Sequence, residues 1–211
     1  MNQARSKKTR SVVMAGILSA IIFVMAFVPY MGYLNLGVIK ATTIHIPVIL
    51  GAILLGPRYG AFLGFVFGLT SLINNTYSFS LSSFVFSPFV AGGGVQSLIV
   101  CFLPRILIGI TAWYVYKGVS ALLKRRFPSS GNSLPLILAG IAGSLVNTLL
   151  VMNLIYFLFG NSYAAAQNVG FDMLYNFILG IILTNGIPEA IVAALFTLAI
   201  GKVLLRMRKQ L

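Results

Sequence analysis

An all-α membrane protein, a bundle of six transmembrane helices with both termini cytoplasmic, is the fold class this sequence predicts, and three observations carry it. Of 211 residues, 59% are hydrophobic and 8% charged, with a mean hydropathy of +0.99. A chain with so little polar surface belongs in a bilayer. The apolar residues fall into six runs, at about 12–34, 41–55, 58–74, 95–117, 134–159 and 175–205, each interrupted by Pro, Gly or charge. Finally, 15 Lys and Arg stand against 2 acidic residues, and the cations cluster between the runs, where signals for membrane orientation are placed. Residues 1–211 are read as one integral membrane domain with a basic cytoplasmic tail over 1–11.

The first run follows MNQARSKKTR and continues through VMAFVPYMGYL with no small-x-small cleavage site, so it is read as a retained span. The second and third runs are short. About 15 residues give only ~22 Å against a ~30 Å hydrocarbon core, so 41–74 could be two short helices or one interrupted span. Charge separates these readings. With six spans, inward segments hold Arg5, Lys7, Lys8, Arg10; Arg58; Lys117, Lys124, Arg125, Arg126; and Lys202, Arg206, Arg208, Lys209, leaving Lys40 outside and Arg105 within the membrane. Merging runs two and three would push Lys124, Arg125 and Arg126 outside, against the positive-inside rule.

The outward loops, about 32–41, 74–94 and 160–174, are long and rich in Asn, Ser, Tyr and Gly. In NNTYSFSLSSFVFSPFVAGGGVQ, Phe alternates with Ser as in a strand or extended lid, and Gly92, Gly93 and Gly94 offer hinge-like backbone freedom. Polar-aromatic loops gathered on one side are expected to cover a pocket there. Gly56, Gly60, Gly64 and Gly68 recur every four residues and make a close-packing face within the bundle. Helix one carries two narrower seams, Ala15 with Ser19 and Gly16 with Ala20, suited either to internal packing or to docking a membrane partner.

Arg105 follows Pro104 about nine residues into the fourth run, ~13 Å deep at the α-helical rise. A guanidinium keeps its charge, and at that depth it needs a protein interior, a polar cavity or an anion. An internal ion pair with Glu189 and an anion-binding role are both open. Asn147 and Asn153 lie on helix five, Asn185 and Glu189 share a face of helix six, and Asn74 and Asn75 end helix three. Pro188 frees a backbone carbonyl beside them. With His45 these residues are the candidate substrate-binding set; one cation, one carboxylate and several amides suit a small polar molecule bearing an anionic group.

His45 has no second ligand at metal spacing, so no metal site is expected. The lone Cys101, inside an apolar run, is read as packing. No GxxxxGK[ST] loop, GxSxG, HExxH or paired carboxylates occur, so no cofactor and no enzymatic activity are expected. The cations sit in short clusters between long apolar runs, as orientation signals do, so nucleic-acid binding is not expected.

These residues resemble a known family. AGILSA on helix one, TTIHIPVILGAILLGPRYGAFLGFVFGLTSLINN, FLPRILIG, GSLVNTLLVMNLIY and NGIPEAIVAALF are similar to the substrate-binding S subunits of energy-coupling factor (ECF) vitamin transporters, most of all the pantothenate type. The resemblance implies a six-helix S-component bundle in the bacterial cell membrane, with a vitamin held at the outer side by helices four to six and the outward loops. It implies a complex with a transmembrane coupling subunit and two cytosolic ATPase subunits, and transport by toppling of the S subunit. By the same resemblance Arg105 would meet the vitamin carboxylate, with Asn147, Asn185 and Glu189 at its amide and hydroxyl groups. The family's AxxxA docking signature reads Ala15 to Ser19 here. Rival expectations are another vitamin, such as riboflavin or folate, or a self-sufficient secondary transporter with Glu189 as proton carrier.

Overall fold

The computed structural model describes residues 2–28, 31–36, 39–78, 80–126 and 133–210. Helices α1 (Asn2–Phe27), α2 (His45–Leu55), α3 (Pro57–Tyr77), the single turn α4 (Ser83–Phe86), α5 (Val95–Arg126), α6 (Ser133–Ala166), α7 (Phe171–Ile181) and α8 (Ile187–Gln210) follow one another, with a β-hairpin after α1 and a π-helical turn, Ile182–Gly186, joining α7 to α8. Helices dominate because an apolar chain in lipid must satisfy its backbone within each segment. Among the described residues, four helical stretches are long and apolar enough to cross a membrane: Lys8–Phe27, Val95–Arg125, Ser133–Ala166 and Phe171–Met207. α2 is an apolar helix of 11 residues, or ~16 Å, and α3 has 21 residues.

α2 and α3 are separate helices that fold back on one another about Gly56, whose φ of 104° lies where side-chain-bearing residues are strained. Pro57 then starts α3 at a position that needs no N–H. The turn brings Gly60 against Ala52. Beyond it, Gly60 meets the backbone of Gly109, Gly64 that of Arg105 and Ile106, and Gly68 the Phe102 ring. Gly60, Gly64 and Gly68 therefore pack α3 onto α5 inside the bundle, as expected, whereas Gly56 lies outside that face, at the turn, where a Cβ would meet nothing within 4 Å.

Three expectations are corrected. Helix one ends at Phe27 and not near 34, because Pro29 disfavours helix in the residue before it. Part of the loop expected over 32–41 is an antiparallel hairpin, β1 (Tyr33–Leu36) with β2 (Ile39–Thr42), in register Leu36↔Ile39 and Tyr33↔Thr42. The Phe/Ser alternation forms no strand. Its serines stabilise turns, with Ser80 N–H donating to Ser83 Oγ at 2.8 Å and Thr76 Oγ1 lying 2.7 Å from Ser87 Oγ, which is the local competition serine offers to regular structure. The side chains of Arg5, Lys7, Lys40, Arg126, Arg208 and Lys209, part of the charge pattern, lie outside the described residues.

The core has two parts. One unites Ile22, Ile44, Ile49, Leu63, Phe67, Ile108 and Leu136 from α1, the start of α2, α3, α5 and α6. The other unites Phe84, Val100, Ile155, Phe159, Leu174 and Ile178 from α4 to α7. Outward faces of α1 and α8 stay apolar and exposed, among them Val13, Ile17, Val24, Ile191, Leu195 and Val203, as lipid contact requires.

Candidate functional site

A cavity of about 560 Å³ is walled by α3, the turns after it, α4, α5, α6, the π-turn, α8 and the end of β2. Its lining includes Thr42, Ser71, Asn74, Asn75, Ser78, Ser80, Ser82, Phe86, Arg105, Asn147, Thr148, Val151, Met152, Ile181, Asn185 and Glu189. The volume suits a small organic molecule.

Arg105 is fixed by the residue before it. Pro104 has no N–H to give the carbonyl four residues back, that of Val100. Arg105 Nη1 donates to that carbonyl at 2.7 Å. The guanidinium carbon sits 5.6 Å from the Phe67 ring centroid and 5.1 Å from that of Phe86, so two aromatic faces hold the cation. The residue is 6% exposed yet lines the cavity: a permanent charge, almost desolvated, presented to a polar space.

Glu189, also 6% exposed, is held by Thr42 and Thr148. The Thr42 backbone N–H reaches Oε1 at 2.7 Å and the Thr148 hydroxyl reaches Oε2 at 3.1 Å. Its carboxylate and the Arg105 guanidinium line the same cavity and act on each other through space. The π-turn directly before Ile187 brings Asn185 to the wall. Pro188 leaves the Thr184 carbonyl without its α-helical donor, and such bulges recur at functional sites.

On α6, Asn147 is 9% exposed, and its Oδ1 has no hydrogen-bond partner among the described residues. Thr148, Val151 and Met152 continue the same face. Asn75 Nδ2 donates to Ser71 O at 2.8 Å, leaving its oxygen as an acceptor at the cavity.

Six of the eight predicted substrate-binding residues thus line one cavity: Arg105, Asn74, Asn75, Asn147, Asn185 and Glu189. Two lie outside its lining. Asn153 is turned about 200° from Val151 on α6, and its Nδ2 donates to Leu149 O in its own helix at 2.8 Å. His45 is 1% exposed at the start of α2, packed within the bundle. Among the described residues no group of three His, Cys, Asp or Glu could hold a metal ion. Sequence reasoning did not single out Ser71, the serines at 78, 80 and 82, Thr42, Thr148 or Phe86 as binding residues. Ser71 stands three, four and seven residues before Asn74, Asn75 and Ser78, a helical periodicity that could have found it.

The helix-one seams separate. Ala15 is buried at 4% exposure and accepts the Ser19 hydroxyl on its carbonyl at 2.8 Å. Gly16 and Ala20 are exposed, and a Cβ at Gly16 would meet nothing within 4 Å.

The lining offers a cation for an anionic group, a carboxylate, amides and hydroxyls for hydrogen bonding, and an apolar wall of Val151, Met152 and Ile181. Residues 10–201 match the family of ECF transporter substrate-specific components. Over 210 residues the chain is 34% identical to the pantothenic acid transporter PanT of Lactococcus lactis subsp. cremoris, covering 97% of each chain. The pantothenate transporter PanT of Leuconostoc mesenteroides subsp. mesenteroides is 30% identical over 205 residues, 94% of each. This chain, a multi-pass bacterial membrane protein and a transport component rather than an enzyme, therefore belongs to the substrate-specific components of the energy-coupling factor transporters.

Proposed function

We propose that this chain binds pantothenate at the outer side of the membrane as the cargo-recognising subunit of an importer, with ATP hydrolysis supplied by two cytosolic subunits through a membrane coupling subunit. The observation that carries the reading is Arg105, a fixed cation in the wall of a small polar cavity. Pantothenate presents one carboxylate for that cation, an amide and two hydroxyls for Asn74, Asn75, Asn147, Asn185 and Glu189, and a dimethyl-substituted carbon for the apolar wall. Both named relatives are transporters of this vitamin. Riboflavin brings no carboxylate for Arg105, and folate carries a large flat ring system, whereas Phe86 is the aromatic residue in the lining.

In this reading the chain crosses the membrane six times with both termini inside, α2 and α3 forming a short re-folded pair. The exposed Gly16–Ala20 seam, rather than the inward-turned Ala15–Ser19 seam, meets the coupling subunit.

Equilibrium binding of radiolabelled pantothenate to the purified protein without nucleotide tests the proposal. Sub-micromolar affinity, unaffected by excess riboflavin or folate, is the expected result; displacement by either vitamin, or no pantothenate binding by folded protein, contradicts it.

A further inference from the structure

The hairpin and Glu189 form one unit across 147 residues of sequence. Thr42 ends β2 and faces Tyr33 in the last pair of the ladder. Its N–H is directed not at β1 but at Glu189 Oε1, 2.7 Å away. The next residue closes the hairpin's own base, Thr43 N–H donating to Gly32 O at 3.0 Å and Thr43 Oγ1 to Met31 O at 2.9 Å. β2 also packs on the π-turn and on α8. The far carboxylate oxygen holds the Thr148 hydroxyl on α6 at 3.1 Å. One buried carboxylate therefore ties the hairpin, α6 and α8 together, and Thr42, Thr148 and Glu189 all line the cavity. Hydrogen bonds between groups shielded from bulk water are the strong kind.

We infer that Glu189 is a positioning residue: its carboxylate latches the β1–β2 hairpin to the cavity wall through the Thr42 N–H, and the latch governs how fast the bound molecule leaves. The inference rests on the pantothenate reading for its rate consequence alone; the latch itself is a property of the ligand-free protein.

Two variants break it from opposite sides. Glu189→Ala removes the acceptor. Thr42→Pro removes both Thr42 donors, the N–H and the hydroxyl, and spares the ladder, since that N–H serves the carboxylate, and proline's preference for an extended preceding residue suits Ala41 in the strand. Glu189→Gln is the control that keeps the latch: its amide oxygen still accepts from Thr42, and the Thr148 hydroxyl turns to accept from the amide nitrogen.

Spin labels at Asn35→Cys on the hairpin and Leu81→Cys, an exposed position between the lining residues Ser80 and Ser82, report the hairpin's position; the single native thiol, Cys101, is buried. In ligand-free protein the distance distribution is expected to lengthen and broaden in Thr42→Pro and Glu189→Ala and to stay as in the parent for Glu189→Gln. Release of radiolabelled pantothenate is expected to quicken roughly tenfold in Thr42→Pro, the weight of one such hydrogen bond. An unchanged label distance in Thr42→Pro overturns the latch whether or not pantothenate binds. A label distance in Glu189→Gln as long and as broad as in Glu189→Ala also overturns it, since the charge and not the accepting oxygen would then hold the hairpin.

Discussion

Pro104 and Arg105 work as a pair. The proline strips the Val100 carbonyl of its helical donor and the arginine, one residue on, supplies a replacement at 2.7 Å. That bond and the flanking Phe67 and Phe86 rings fix the guanidinium before any ligand arrives, so the ordering cost of recognition is largely met by the fold. Two mutants separate the effects. Arg105→Ala is expected to weaken pantothenate binding at least about hundredfold with the protein still folded, in line with loss of a desolvated charge partner. Pro104→Ala restores the helical N–H, so thermal stability should rise while affinity falls roughly three- to tenfold, the cost of loosening one hydrogen bond. A parallel rise in both quantities would remove the proline from the site. Asn153→Ala, which loses only a bond within its own helix, should leave affinity within about twofold; isothermal titration checks all three.

Among the elements, α3 and α5 approach so closely that only glycine fits between them. A Cβ at Gly64 would press on the carbonyl of Arg105 itself. Gly64→Ala should therefore cost about 1–3 kcal/mol of stability by overpacking and lower pantothenate affinity as well, because the strained backbone is that of the binding residue. Melting followed by tryptophan fluorescence and titration of the same sample test whether the two losses travel together. Gly16→Leu, on the open seam of α1, should leave affinity intact and reduce uptake in the assembled transporter.

The same contrast explains what could be read in advance. Arg105, Glu189 and Asn185 announced themselves because a charge or amide in an apolar helix demands a partner, and the four-residue glycine spacing named its packing face. The hairpin did not, since no Asn-Gly or Asp-Gly marks its turn and the chain-distant carboxylate that grips Thr42 leaves no local trace. The Phe/Ser alternation imitated a strand's period while its serines were serving turns. His45 lies outside the cavity lining, and its burial depends on neighbours from other helices that its local sequence does not show.

At the scale of the whole molecule, the cations and the cavity divide the chain by function. In the proposed topology Lys8 and Lys202, both exposed, lie on the cytoplasmic side, so cysteines placed there should react with an impermeant maleimide only after the membrane is opened from that side. Labelling of either in intact cells would contradict the orientation. Uptake should require co-expression of the coupling and ATPase subunits. Glu189 shares the cavity with Arg105 and acts on it through space, and in the proposed function the vitamin carboxylate is the second anion that the guanidinium meets. The most direct test compares pantothenate with the alcohol in which a hydroxymethyl group replaces the carboxylate, in the wild type and in Arg105→Ala. The wild type should prefer the carboxylate by at least about hundredfold and the variant should bind both equally weakly; a preference that survives in Arg105→Ala, or none in the wild type, would contradict a carboxylate held by Arg105.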